Sequence, residues 1–332
     1  MNRTLVYALM AVGAFTFVLW YPRAEPVPDS SDPLAERAHI ESLFDTITPS
    51  DAYLAFKREH SSPEPLTDHL AAHVFGEVLY EQAGLSGFSV CDAEFGFGCY
   101  HSFIARAIAE RGEDVVKELD SACVEAFTEA GLGCSHGIGH GILSSLGYRI
   151  EDVVSALSLC GGLSWQRPYG GCQDGVFMEY NFRTMEADPK ERTRSFSLEE
   201  RHEPCRAIEE RFRAACYFGQ PAWWLSALRD APDASERMAA YCTEAGSEEL
   251  VRACFRGLGY AFAPQVGFDV ARGSSFCDGA AQGEKKTWCR EGLAWALYAD
   301  PAWRHDSPAA CTGGMSEQAA KQCEDEYLFT IQ

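Results

Sequence analysis

The sequence predicts an all-α fold of helical-hairpin repeats that disulfides staple together, forming a strongly curved α-solenoid or a closed α/α toroid. Three observations lead to this fold class. The cysteines recur with alternating short and long spacing, apolar residues follow them at helical intervals, and histidines fall in register between units. A repeat of roughly 30–45 residues is typical of helix pairs that bury their apolar faces on their neighbours.

The fourteen cysteines form a regular pattern along the 332-residue chain. Taken in order, they divide into pairs whose members lie about a dozen residues apart, which predicts local disulfides, each stabilising the fold by roughly 3 kcal/mol. The predicted pairs are Cys91–Cys99, Cys123–Cys134, Cys160–Cys172, Cys205–Cys216, Cys242–Cys254, Cys277–Cys289 and Cys311–Cys323. So many disulfides indicate an oxidising compartment.

The second cysteine of each pair begins a stretch with apolar residues at helical spacing, as in CSHGIGHGILSSLG from Cys134. Most of these stretches carry glycine three residues after the cysteine, where the backbone of a neighbouring helix can come close. The first cysteine ends another helix-like stretch, such as EDVVSALSLC up to Cys160. One unit is therefore a helix, a turn and a second helix, and a disulfide joins the end of each unit to the start of the next. Residues 65–84 form an earlier unit in which Thr67 takes the cysteine position.

Five of the nine histidines fall in two columns when the units are aligned on the second cysteine. The columns are four residues apart, so their side chains share one helix face. Helices packed about 8–10 Å apart would bring histidines of consecutive units together near the helix starts. The predicted cluster comprises His69, His73, His101, His136 and His140.

This cluster predicts a site for one or two transition-metal ions. Neutral imidazole binds Cu, Zn and Fe, and two histidines four residues apart chelate from one helix. Glu77, Asp174 and Glu179 lie on the same units and are candidate catalytic residues that would move a proton beside the metal. The alternatives are a hydrogen-bonded polar core and a metal-free pocket in which histidine acts as acid or base.

The glycines of GLGCSHGIGHGI, residues 131–142, do not indicate a dinucleotide-binding loop, because a helix-like stretch and not a strand precedes them. The later units carry other residues in the same two columns, among them Phe218, Arg256, Tyr260, Glu291 and Trp295. These residues predict either an aromatic pocket beside the histidines or an ion pair that joins neighbouring units. The four histidines outside the columns, which are His39, His60, His202 and His305, are predicted to be surface residues.

The N-terminal residues predict export. Residues 5–21 are an unbroken apolar run behind Arg3, with no good cleavage site after it. We assign residues 1–22 to a membrane anchor or, alternatively, a signal sequence, and residues 23–37, rich in Pro, Ser and Asp, to a linker. Residues 38–332 form a single extracytoplasmic helical-repeat domain, which is expected to be membrane-anchored and to face the periplasm or the cell exterior.

The net charge of −21 disfavours nucleic acid as a partner, since an acidic surface repels phosphates. We expect membrane contact through the N-terminal segment, and the inner face of a curved array suits a small-molecule or peptide ligand. The sequence favours an exported metalloenzyme, with Zn activating water or with Cu or Fe supporting oxidative chemistry. The alternatives are a metal store or sensor, and a non-catalytic repeat scaffold that binds a protein or peptide.

Overall fold

The computed structural model confirms the all-α fold class. It describes residues 33–60, 65–127, 132–167, 169–185, 192, 194–299, 302–312 and 315–329. Fifteen α-helices lie within these ranges, short 3₁₀ helices lie between some of them, and no strand is found in this part of the chain.

The helices vary in length from less than two turns to about five turns. In chain order they are α1 (Pro33–Phe44), α2 (Pro49–Glu59), α3 (Pro65–Ala83), α4 (Gly98–Arg111), α5 (Val116–Phe127), α6 (Leu132–Leu146), α7 (Ile150–Cys160), α8 (Cys172–Thr184), α9 (Glu210–Ala227), α10 (Ala234–Thr243), α11 (Glu248–Phe262), α12 (Val270–Ala280), α13 (Glu284–Ala299), α14 (Ser307–Thr312) and α15 (Glu317–Phe329).

Side-chain caps mark the starts of several helices. The Ser247 hydroxyl accepts a hydrogen bond from the Leu250 amide at the start of α11, and Asp269 does the same for Arg272 at the start of α12. Thr48 caps α2, which also begins with proline. Such caps satisfy backbone N–H groups that have no partner within the helix, so these boundaries follow directly from local sequence.

The core of the fold is a row of helices in which each one packs against the next. This row runs α3, α4, α6, α8, α9, α11, α13, α15, and the shorter helices α5, α7, α10, α12 and α14 lie beside it. Helices therefore alternate between the core row and the outer side, as the predicted unit of two helices requires. Two connections depart from this pattern. Only short 3₁₀ helices lie between α3 and α4, and between α8 and α9 the described residues form turns and irregular structure and no outer α-helix.

Seven disulfides link the consecutive helices, and their pairing confirms the prediction. Each bridge joins neighbours along the chain, with a sequence separation of 8 to 12 residues. In every pair the second cysteine lies in the first turns of a core helix. The bridges therefore fix the entry point of each core helix and hence the position of the residues that follow it.

Glycine allows the core helices to approach each other closely. A Cβ atom added at Gly175 in α8 would overlap with the backbone carbonyl oxygen of His136 in α6. The same overlap would occur between Gly257 and Phe218, and between Gly292 and Arg256. All three glycines lie three residues after a cysteine, so the predicted close approach of neighbouring backbones is confirmed.

The N-terminal boundary of the folded region differs from the prediction. Helix α1 begins at Pro33, within the predicted linker 23–37, because Pro33 starts a helix and Glu36 is buried against His60, the residue that follows α2. The predicted anchor or signal sequence, residues 1–22, lies outside the described residues. Among the helices that the structure describes, none is long and apolar enough to cross a membrane.

Candidate metal centre

His69 and His73 lie on successive turns of α3, with their Nε2 atoms 3.0 Å apart. The Nδ1 atom of His69 donates a hydrogen bond of 2.6 Å to the backbone carbonyl of Phe95. Since this bond fixes the proton on Nδ1, Nε2 of His69 presents its lone pair towards His73. A histidine oriented through its other nitrogen is the usual arrangement of a metal ligand.

An unusual backbone segment supplies the carbonyl group for His69. Phe95, Gly96 and Phe97 all have left-handed φ angles, of 54°, 57° and 64°. This conformation is rare for phenylalanine and costs of order 1–3 kcal/mol per residue. A Cβ at Gly96 would lie 3.5 Å from Nδ1 of His69, so the strained segment packs directly against this imidazole.

His101, on α4, lies between the two histidine pairs. Its ring centroid is 5.4 Å from those of His69 and His73, 5.5 Å from that of His136 and 5.4 Å from that of His140. One nitrogen from each of His69, His73 and His101 falls within 4.8 Å of the other two. Helices α3, α4 and α6 thus bring all five column histidines into one cluster, and three of them could hold a metal ion.

His136 and His140 lie on α6 and are largely buried, with 8% and 9% of their surface exposed. Their Nε2 atoms are 3.0 Å apart, as in the first pair. Nδ1 of His136 lies 3.3 Å from Asp174, and Nδ1 of His140 donates a hydrogen bond of 2.9 Å to Glu179. Both carboxylates come from α8, so each imidazole of the second pair is oriented by a carboxylate of the neighbouring core helix.

Glu179 joins a small polar network at the edge of the cluster. Its second oxygen accepts a hydrogen bond of 2.6 Å from the Tyr148 hydroxyl. Burial acts to raise the pKa of Glu179, but the hydrogen bonds from His140 and Tyr148 outweigh it and lower that pKa. Burial and the nearby carboxylate raise the pKa of Tyr148 to about 12. Glu179 is therefore an ionised acceptor at neutral pH and Tyr148 a protonated donor.

Four of the five cluster histidines have a pKa below the ordinary value for histidine. Burial lowers the pKa of His73 to about 3, with further lowering by the neighbouring imidazoles. Burial also lowers the pKa of His69 and His140, and it holds the pKa of His101 well below its ordinary value. Metal ions bind neutral imidazole, so these four side chains are in the binding-competent form near pH 7.

The three predicted catalytic carboxylates lie in different surroundings. Asp174 and Glu179 contact the second histidine pair, whereas Glu77 lies 3.4 Å from Arg37 of α1 and its side chain is 43% exposed. The two carboxylates of α8 hold imidazoles, which is a positioning role. The catalytic assignment of all three residues stays a prediction.

The later half of the two columns forms a packed aromatic and ionic core. Phe218 of α9, Tyr260 of α11 and Trp295 of α13 contact one another, with ring centroids 4.9 to 5.3 Å apart. Nε of Arg256 in α11 lies 2.7 Å from Glu291 in α13, which is 2% exposed. Of the two predicted arrangements, the structure shows the ion pair that joins neighbouring units.

Two histidines that were predicted to lie on the surface are buried. His60 is 5% exposed and lies between Glu36 and Asp68, and His202 is 1% exposed, with Nε2 3.1 Å from Glu244. Their partners come from other parts of the chain, which is why no local pattern reveals them. The carbonyl of Phe95 and the Tyr148 hydroxyl were also missed, since neither belongs to the repeat pattern.

The fold and the site together define the class of protein: an all-α, disulfide-stapled protein with a histidine cluster that could hold a metal ion. No protein-family model, curated protein or solved structure matches the chain. The function is therefore argued from the site alone.

Proposed function

We propose that the protein is an exported metalloenzyme whose transition-metal ion is held by His69, His73 and His101. The observation that carries this proposal is the convergence of one nitrogen from each of these residues within 4.8 Å. Two nitrogens at about 2.0–2.1 Å from one ion are about 2.8–3.4 Å apart at bond angles of about 90–109°. The separation of 3.0 Å between the Nε2 atoms of His69 and His73 fits this requirement.

Three histidine ligands favour a catalytic site over a purely structural one. Structural zinc sites use four protein ligands, whereas catalytic sites use three and leave a position for water or substrate. His69 and His73 are only partly buried whereas His101 is more deeply buried, so solvent can approach the cluster from the α3 side. Imidazole ligands suit Cu, Zn and Fe, and a bound ion would supply Lewis acidity or redox chemistry there.

The disulfides support export. Seven bridges with no free cysteine among the described residues are typical of extracellular or periplasmic proteins, because reducing compartments keep thiols free. Together with the apolar residues 5–21, this supports a protein that is anchored to the membrane or released from it and faces the periplasm or cell exterior.

We also propose that the core row is strongly curved, as a solenoid or toroid. Phe218 of α9 and Trp295 of α13 contact each other although α11 lies between their helices in the row, with ring centroids 4.9 Å apart. Burial and then neighbouring imidazoles lower the pKa of His73 in α3, and one of those imidazoles is His140 of α6, although α4 lies between the two helices in the row. Side chains of alternate helices meet only when the helices fan around a common inner side, which supports this curvature.

Metal content tests the proposed function. The full chain, produced in an oxidising compartment without a polyhistidine tag, is incubated with Zn²⁺, Cu²⁺ or Fe²⁺, desalted and measured by plasma mass spectrometry. We expect at least one tightly bound equivalent of one metal. The double variant His69→Ala/His73→Ala should lose that equivalent, while His305→Ala, at a side chain that is 74% exposed, should keep it. Wild-type protein that is folded and retains none of the three metals would refute the proposal.

A second measurement tests whether the bound metal keeps an open coordination position. Co²⁺ bound in place of the native ion gives a visible spectrum that changes when an exogenous ligand such as azide enters the coordination sphere. We expect a saturable change on azide addition. A spectrum that stays constant would indicate a closed site, as in a metal store or sensor, and would remove the catalytic part of the proposal.

A further inference from the structure

We infer that His136 and His140 form a second metal-binding site, and that His101 bridges it to the first, so that the five histidines hold a dinuclear centre. The inference rests on the proposed function, since the first ion is the one assigned to His69, His73 and His101. It extends that function by a second ion, two positioning carboxylates and a bridging imidazole.

The hydrogen-bond pattern of the second pair calls for a cation. Asp174 and Glu179 lie 3.3 Å and 2.9 Å from the Nδ1 atoms of His136 and His140. A carboxylate only accepts hydrogen bonds, so the bond to Glu179 places the proton of His140 on Nδ1 and leaves a lone pair on Nε2. Asp174 faces Nδ1 of His136 at 3.3 Å and favours the same tautomer there, which leaves two Nε2 lone pairs 3.0 Å apart. A metal ion bound by both lone pairs replaces this repulsion with two coordinate bonds.

The two histidine pairs have the same geometry, and this geometry suits the chelation of a metal ion. Both have histidines four residues apart on one core helix, and both have an Nε2–Nε2 separation of 3.0 Å. In both, a Nδ1 atom is held by an oxygen acceptor: the Phe95 carbonyl in the first pair and the two carboxylates in the second. Acceptors of this kind fix the orientation of metal-binding imidazoles and raise their basicity.

The position of His101 suits a bridge. Its ring centroid lies 5.4–5.5 Å from each of the four other imidazoles. Two imidazoles bound to one ion have centroids about 5 Å apart, given metal–nitrogen distances of about 2.0–2.1 Å. One ring cannot give the same nitrogen to two ions, but it can give one nitrogen to each. His101 then loses its remaining N–H proton to the solvent as the second ion binds.

The charges near the second pair also favour a cation. Asp174 is 4% exposed and the Glu179 side chain is 17% exposed, so both carboxylates are poorly solvated. Burying charge is costly, and a divalent ion between the imidazoles would offset the charge of the two carboxylates. Glu179 also interacts with Arg183 and accepts a hydrogen bond from Tyr148 on one oxygen, while its other oxygen faces His140 of the cluster.

Stoichiometry tests the second site. The full chain is stripped with a chelator, titrated with Cu²⁺ or Zn²⁺, desalted and measured by plasma mass spectrometry. We expect two equivalents for the wild type and for His305→Ala, and one equivalent for His136→Ala/His140→Ala. A wild type that binds one equivalent, and keeps it in His136→Ala/His140→Ala, overturns the inference and leaves the proposed function standing. A wild type that binds none overturns both.

Electron paramagnetic resonance of the copper-loaded wild type tests the bridge. Two Cu²⁺ ions joined by one imidazolate couple magnetically, so the integrated signal at low temperature should fall well below the copper content. The His101→Ala variant should give a signal that accounts for all the copper it retains. A wild-type signal equal to the full content of two coppers would show that His101 does not bridge them.

Discussion

At the scale of single residues, His60 shows how a buried histidine can make stability depend on pH. Its Nε2 lies 3.1 Å from Glu36 of α1 and its Nδ1 lies 3.5 Å from Asp68 of α3. Burial acts to lower the pKa of His60, but the two carboxylates outweigh burial and raise it. A histidine whose pKa is higher in the folded state stabilises that state when protonated. The contribution is complete below the unfolded pKa of about 6.5 and is lost as the pH rises through the folded pKa.

We therefore predict that His60→Gln destabilises the protein in a pH-dependent way. The loss should be about 1–3 kcal/mol near pH 6, the value of a hydrogen bond to a charged group, and should shrink as the pH rises towards 9. Denaturant unfolding of both proteins between pH 6 and 9 measures it. His305→Gln, at an exposed site, should follow the wild type throughout. A difference that stays constant over this pH range would contradict the assigned role of His60.

The contrast between His60 and the column histidines shows which side-chain contacts can be predicted from the sequence. His136 and His140 could be placed in the cluster because the repeat sets their register relative to His69 and His101. His60 pairs with Glu36, 24 residues earlier, without any such period. The Phe95 carbonyl is a backbone group and has no side-chain signature at all. The repeat makes long-range contacts between aligned residues predictable. Contacts of residues that do not belong to the repeat pattern depend on tertiary packing alone.

At the scale of helices, glycine sets the distance between core neighbours. A Cβ at Gly257 of α11 would overlap with the carbonyl oxygen and backbone of Phe218 in α9, so neither side can yield by a side-chain rotation. Gly279, near the end of α12, has open space around its Cβ position. The two glycines are both helical and differ mainly in whether a neighbouring backbone is close.

This difference gives a matched pair of substitutions. Gly257→Ala should destabilise the protein by about 1–3 kcal/mol, because the helices must separate to accept the methyl group. Gly279→Ala should leave stability unchanged or raise it by up to about 1 kcal/mol, since alanine favours the helix. Thermal unfolding without reductant measures both. Equal effects of the two substitutions would show that close helix approach does not require glycine at residue 257.

The start of a helix could be predicted where a cysteine marks it, and was harder to predict where no cysteine is present. The second cysteines locate the starts of α4 to α15 in the core row, because each lies in the first two turns of its helix, where a disulfide joins it to the preceding segment. No cysteine marks α1, and its start at Pro33 inside a Pro- and Ser-rich stretch was missed. The burial of Glu36 against His60, which stabilises α1 from outside, has no counterpart in local composition.

At the scale of the whole molecule, the core row has two parts that carry different residues at the aligned positions. Helices α3, α4 and α6 contribute histidines, whereas α9, α11 and α13 contribute the aromatic core and the Arg256–Glu291 pair at the same aligned positions. The sequence alignment predicted this division. The strong curvature that we propose for the core row is harder to derive from sequence, because curvature accumulates from small rotations between neighbouring units that no single residue determines.

Because of the same repeat organisation, the effect of losing a disulfide depends on the position of that disulfide in the row. In an array, each unit contacts mainly its neighbours, so the loss of an end unit stays local while the loss of an inner one interrupts the row. Cys123–Cys134 leads into α6, two residues before His136, and Cys311–Cys323 leads into α15 at the end of the row. Their loops are nearly equal, with separations of 11 and 12 residues, so the direct entropic effect of each bridge is similar, about 3 kcal/mol.

We predict that Cys123→Ser/Cys134→Ser lowers the metal content of the purified protein markedly, because the start of α6 no longer holds His136 and His140 in register with His101. Cys311→Ser/Cys323→Ser should keep the wild-type metal content while increasing protease cleavage only near α15. Plasma mass spectrometry and limited proteolysis of both variants, prepared in parallel, measure these effects. Equal metal loss in the two variants would mean that the array unfolds as one cooperative unit, and that the bridges support the site through overall stability and not through local register.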